Sequence, residues 1–199
     1  MIHTLKLKYD PDEALEYYEI LKRDFQHLHW EYEKHHNDPG MIDPKNVIKD
    51  LNGWGLQTVY DDPSFPYHSD LDPHDEDPEY YKDTPMVFGF FERVKNILKD
   101  PFRSFLMSSP GGHYIRWCHS HNPPHGMLFI PIITNGEAYF RSGIEEKKRI
   151  YVDVGNIYLV DPIKYPFAFN NDGDSPVASI QVGVPEYTFD YLLNLEGKI

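Results

Sequence analysis

The run "YIRWCHSHNPPHG", residues 114–126, brings Cys118, His119, His121 and His125 within eight positions. Imidazoles suit Fe, Zn, Ni or Cu, and two histidines with one carboxylate would make the facial set of a non-haem iron. On an extended strand residues i and i+2 share a face, so His119 and His121 could aim at one cation. His125 follows Pro123-Pro124 on a turn that could fold back toward them. An ordinary reading stands beside this one. The chain holds eleven histidines, and those in "HLHW" and "EKHH" fall in a helical stretch where nothing suggests a metal. Cys118 alternates with the two histidines on a regular strand and reads as a small apolar packing residue. A zinc knot from all four is a third alternative, although such sites usually draw ligand pairs from two separate segments.

Two adjacent histidines cannot enclose an ion, and no histidine follows His125 in the sequence. With His119 and His121 as metal ligands, His125 or Asp161 is the candidate third ligand. Glu137 and Asp153 are further downstream carboxylates, each where a turn or an exposed strand end would also place it.

The elements that must position these residues fall in two parts. "IHTLKLKY" alternates as a strand. "DPDEALEYYEILKRDFQHLHWEYEKHH" predicts an amphipathic helix capped by Asp10, with Pro11 in its first turn and Leu15, Tyr18, Leu21, Phe25, Leu28 and Tyr32 on one face. A short helix over 45–51, the strand "WGLQTVY" and a helix in "TPMVFGFFERVKNILKD" follow. From Phe102 onward short β-rich runs alternate with Gly, Pro and Asn. Eight strands are expected, in "FRSFLMS", "HYIRWC", "MLFIPIIT", "EAYFRS", "KRIYVDV", "NIYLVD", "FAFN" and "VASIQVGV", with a short helix in the tail "PEYTFDYLLNLEG". The fold class is mainly β: a jelly-roll barrel with N-terminal α-helices. One continuous domain is expected, with helices, acidic loop and first barrel strand in 1–100 and the jelly-roll core in 101–199.

Between them lies the segment 61–83, with nine acids, four prolines and one lysine. Its "DLDPHDEDPE" fails the calcium-loop template, because Asp75 and Tyr81 stand where glycine and glutamate are needed. It reads as a solvated loop whose tyrosines offer anchors to a protein partner. The net charge of −13 argues against nucleic acid. A single cysteine leaves no intrachain disulfide, which favours a reducing compartment. No signal peptide and no apolar run of spanning length is seen, so a soluble cytoplasmic protein without a membrane partner is expected.

From Trp54 to about Val184 the chain resembles the aspartyl/asparaginyl β-hydroxylase family. The likeness rests on "WGLQTVY", "SPGGHYIRWCHSH", "FIPIITNGEAYF", "VDVGNIYLVD" and "FAFNNDGD". These are iron- and 2-oxoglutarate-dependent dioxygenases of double-stranded β-helix fold. The resemblance implies a first metal histidine at His119. It places the second at Pro166, or Tyr165 if the register slips, and neither fits. The family's arginine and histidine that hold the cosubstrate fall at Met127 and Phe129, and its distal arginine at Val177. The cupin motifs are also similar: His125 stands where a glutamate is usual, and Phe167 replaces the distal histidine.

A buried dianion without a guanidinium partner costs several kcal/mol, so these replacements disfavour 2-oxoglutarate in its usual pose. The expectation is a divergent, non-catalytic member of that family acting as a binding or structural module, with no cofactor. The alternative is an active dioxygenase using Fe(II) and 2-oxoglutarate. It would use His119 and His121, then His125 or Asp161, with Arg116 or Lys164 meeting the cosubstrate.

Overall fold

The computed structural model describes residues 1–31, 52–58, 78–118, 125–142, 148–163 and 167–199. The expected strands from Phe102 onward all form. They are β6 (Phe102–Ser109), β7 (His113–Cys118), β8 (His125–Ile133), β9 (Ala138–Ser142), β10 (Arg149–Tyr151), β11 (Asn156–Val160), β12 (Phe167–Asn171) and β13 (Val177–Pro185). Before them come β1 (Ile2–Lys8), β2 (Trp30–Glu31), β3 (Asn52–Gly55), β4 (Gln57–Thr58) and β5 (Lys82–Asp83). β14 (Gly197–Lys198) ends the chain.

The strand order defines the fold. One sheet runs β14-β1-β11-β8-β13-β6-β3-β2 and the other β10-β9-β12-β7. Numbering β6 to β13 as one to eight, the two halves read 6-3-8-1 and 5-4-7-2. That is the order of a double-stranded β-helix, or jelly roll, with successive strands alternating between sheets except for the hairpin of β9 and β10. Its eight strands pair antiparallel, and β1 with β14 makes the larger sheet mixed. The sheets are stacked layers: among the described residues no strand pairing joins them into a closed barrel.

Both faces of the larger sheet are buried along β6, β8, β11 and β13, which is why these strands read as continuous apolar runs. Every residue of β13 is buried. Leu128, Ile130, Leu159, Ile180 and Val182 point to the outer face, where they meet α1 (Pro11–Asp24) and α2 (Gly89–Ile97). α3 (Phe189–Asn194) packs on the same side through Leu192. Phe129, Tyr158, Val160 and Val177 point inward and meet Phe140, Phe167 and Phe169 of the smaller sheet.

Helix α1 begins as expected: the Asp10 side chain accepts from Asp12 N, and Pro11 opens the first turn. It differs from expectation in phase and length. Ala14, Tyr17 and Leu21 form the buried face, while Leu15 is 40% exposed. The helix stops at Asp24, and Trp30 is buried instead as an edge strand beside β3. A large aromatic that packs better on a sheet overrides a weak helical period. The expected helix over 45–51 lies outside the described residues.

Asn171 closes one end of the jelly roll. It is wholly buried, and its Oδ1 accepts from Asn135 Nδ2 at 2.7 Å. Its Nδ2 donates to Pro110 O at 2.9 Å and Ser175 O at 3.0 Å. Gly111 passes so close that an added Cβ would lie 2.5 Å from Gly173 O, so only glycine fits there. The turns in "SPGG", "PIITN" and "NNDGD" thus meet in one polar knot.

Candidate functional site

At the opposite end of β12 from Asn171, a cleft of about 250 Å³ opens between the two sheets. Met127, Phe129, Phe140, Phe167 and Phe169 line it, with Arg103, His125 and Gln181 as its polar side chains. The rings interlock. Phe129 meets Phe140 at 4.9 Å and 84°, and Phe169 lies 5.2 Å from both. Edge-to-face geometry of this kind adds about 0.5–1.5 kcal/mol per pair to the burial itself.

Strand alternation decides which side chains reach the cleft. His125, Met127 and Phe129 share the inward face of β8. On β11 the inward residues are Tyr158 and Val160, and Pro162 continues that face into the cleft. Asp161 therefore sits on the other face. It is 5% exposed, and its Oδ1 accepts from Ile163 N at 3.0 Å, so the carboxylate closes a turn. Gly126 shows the same polarity, since an added Cβ would strike the Phe189 ring on the helical side. His125 and Asp161, the alternative third ligands, therefore take different faces of the sheet.

His119, His121, Lys164, Tyr165 and Pro166 lie outside the described residues. Glu137 and Asp153 are exposed in turns, and Val177 is buried between the sheets. Among the described residues no group of three histidine, cysteine or acidic side chains is placed to hold a metal. Residues 61–77, with most of the acidic loop and calcium-like run, also lie outside. The end of that segment is anchored: β5 pairs with β4, and Gln57 Nε2 donates to Asp83 Oδ1 at 3.1 Å.

Arg103 and Gln181 were not singled out by the sequence. β6 and β13 slip by one residue between Phe102 and Phe105, where Arg103 and Ser104 face the single residue Val182. Arg103 takes φ +47° in this bulge, a conformation uncommon outside glycine. Bulges re-aim side chains, and Arg103 is one of the residues that line the cleft. Gln181 is 5% exposed, and its Nε2 makes a long 3.4 Å bond to Ser179 Oγ. Their signal in the sequence is slight: one charged and one amide residue inside strands that are otherwise apolar or small.

A second cavity of about 720 Å³ lies behind His125, lined by Glu79, Tyr81, Asp83, Lys95, Asp100, Phe102, Glu186 and Tyr187 among others. Lys95 Nζ donates to Asp83, and Tyr187 OH to Asp100. No described helix is long and apolar enough to cross a membrane.

No family model matches the chain, and no curated protein matches it. Solved structures do. An uncharacterized protein with a double-stranded β-helix domain from Klebsiella pneumoniae is 20% identical, with TM-score 0.33, over 41% of this chain and 62% of that one. A predicted oxalate decarboxylase from Thermotoga maritima is 15% identical, with TM-score 0.35, over 47% and 72%. A Cupin 2 conserved barrel domain protein from Salinispora arenicola is 15% identical, with TM-score 0.33, over 45% and 67%. These neighbours are cupin or double-stranded β-helix proteins, and none of the three is an aspartyl/asparaginyl hydroxylase. The strand order makes this chain a double-stranded β-helix, or jelly-roll, domain with an apolar cleft between its sheets.

Proposed function

We propose that the chain is a divergent member of the aspartyl/asparaginyl β-hydroxylase-like family that has lost catalysis and serves as a binding module. One observation carries this reading. Met127, Phe129 and Phe167, the positions where the resemblance calls for polar site residues, line an apolar cleft together with Phe140 and Phe169. Apolar groups in place of a buried ionic centre remove its desolvation cost, so the scaffold tolerates the exchange. Arg103 supplies one guanidinium from β6, which matches one carboxylate and leaves the second charge of 2-oxoglutarate without a partner at Val177. In this reading the protein needs neither iron nor 2-oxoglutarate, and the acidic aromatic segment 61–83 is offered to a protein partner.

The active-oxygenase reading, with His119, His121 and either His125 or Asp161 as ligands, is favoured by the same Arg103, because a guanidinium at the cleft is what a keto acid requires. Metal analysis after anaerobic reconstitution with Fe(II), for wild type beside His119→Ala, separates the two. The binding-module reading expects substoichiometric iron in both; one iron per chain lost in the variant overturns it.

A further inference from the structure

From the cleft's chemistry we infer a ligand class: the protein binds a small aromatic monocarboxylate. The ring lies among Phe129, Phe140 and Phe169, and the carboxylate meets Arg103 and Gln181. This rests on the reading above, that the cleft is a binding site rather than a reaction centre.

Size sets the first limit. An apolar cavity of about 150 Å³ holds benzene, so about 250 Å³ admits one ring with a short acidic substituent and little more. Shape sets the second. Phe140 meets Phe129, Phe167 and Phe169 at centroid distances of 4.9, 6.2 and 5.2 Å, with interplanar angles of 84°, 62° and 57°. Rings so inclined present faces and edges to an incoming ring, the arrangement aromatic pairs prefer. A branched aliphatic group would fill the volume without those contacts.

Polarity sets the third limit. Arg103 is held at the cleft by a bulge and a left-handed backbone, a costly placement for a residue that served only solubility. Its fork of N–H donors fits a carboxylate in two-point fashion and keeps capacity beside any protein acceptor it also serves. Gln181 stands on the neighbouring strand, paired across from Phe105, and its side chain is buried at the same cleft. Among the described residues no donor meets its amide oxygen, and its amide nitrogen has only the long bond to Ser179. A carboxylate would accept from that nitrogen, and the amide oxygen would accept from a ring hydroxyl where one is present. The net charge of −13 repels polyanions, which leaves a monoanion with an apolar body as the best match.

Calorimetric titration of the full chain with benzoate, toluene and benzylamine tests the inference, with the methyl resonance of Met127 as the reporter of place. Benzoate is expected to bind and to shift that resonance, with the neutral and cationic analogues at least about tenfold weaker. Arg103→Gln should weaken benzoate by about tenfold or more and leave toluene unchanged. Benzoate no tighter than toluene, or binding that leaves Met127 unmoved, overturns the inference. If Arg103→Gln does not fold, the three-ligand comparison on the wild type decides alone. A 2-oxoglutarate assay on the same preparation keeps the two failures apart. Turnover would sink the binding-module reading, whereas absent turnover with absent benzoate binding would sink only the ligand class.

Discussion

His125 and Phe102 meet edge to face, with ring centroids 5.1 Å apart and planes at 75°. His125 forms part of the wall of both cavities, one apolar and one rimmed by carboxylates. It is 6% exposed, so its ring is packed into the wall between them. His125→Ala should join the two spaces and cost about 1–3 kcal/mol of stability in chemical denaturation. Iron uptake should be the same as in the wild type, and a drop in uptake would speak for the histidine as a ligand.

Phe140 stands at the centre of the inter-sheet ring cluster and is wholly buried. Phe140→Ala should cost about 3–5 kcal/mol, the range for truncating a packed phenylalanine. A loss below about 1 kcal/mol in urea denaturation would mean that the cluster does not hold the sheets together.

Asn171→Ala should cost about 2–4 kcal/mol, because Asn135 and the carbonyls of Pro110 and Ser175 lose a shared partner. The cleft lies at the other end of β12, so benzoate affinity should hold in whatever fraction of the variant is folded. Thermal melts and titration on the same sample check both halves.

Two buried phenols set an alkaline limit. Burial pushes the pKa values of Tyr9 and Tyr17 well above the ordinary 10.0. Tyr9 OH donates to Pro131 O, and Tyr17 OH donates to Met86 O at 2.7 Å. The unfolded chain releases these protons near the ordinary value and the folded chain does not. Their contribution is therefore fully present below pH 10.0 and is lost as pH rises above it. Stability should fall by up to about 1.4 kcal/mol per pH unit for each such tyrosine. Tyr17→Phe should flatten that slope by one proton; an unchanged slope in denaturation at pH 10 to 11 would refute the assignment.

Much of the architecture was legible because strands buried on both faces read as bounded apolar runs, and the turns between them carry Gly, Pro and Asn. The phase of α1 was not, since Tyr17 and Tyr18 are adjacent and both apolar enough to lead a face. Nor was its end, because the helical period runs on through Phe25 and Leu28 until Trp30 is taken by the sheet. Within the motifs behind the family resemblance, "PIITN" and "NNDGD" tie the Asn171 knot, at the other end of β12 from the cleft. The apolar lining followed from Met127, Phe129 and Phe167. Arg103 did not, because a bulge depends on the register of two strands and one sequence gives only their sum.

The central claim is that this cleft binds without reacting. Succinate release by the wild-type protein, supplied with Fe(II), oxygen and 2-oxoglutarate, measures it most directly. The expected result is a rate equal to that of the protein-free mixture. Sustained release that disappears in His119→Ala would contradict the account.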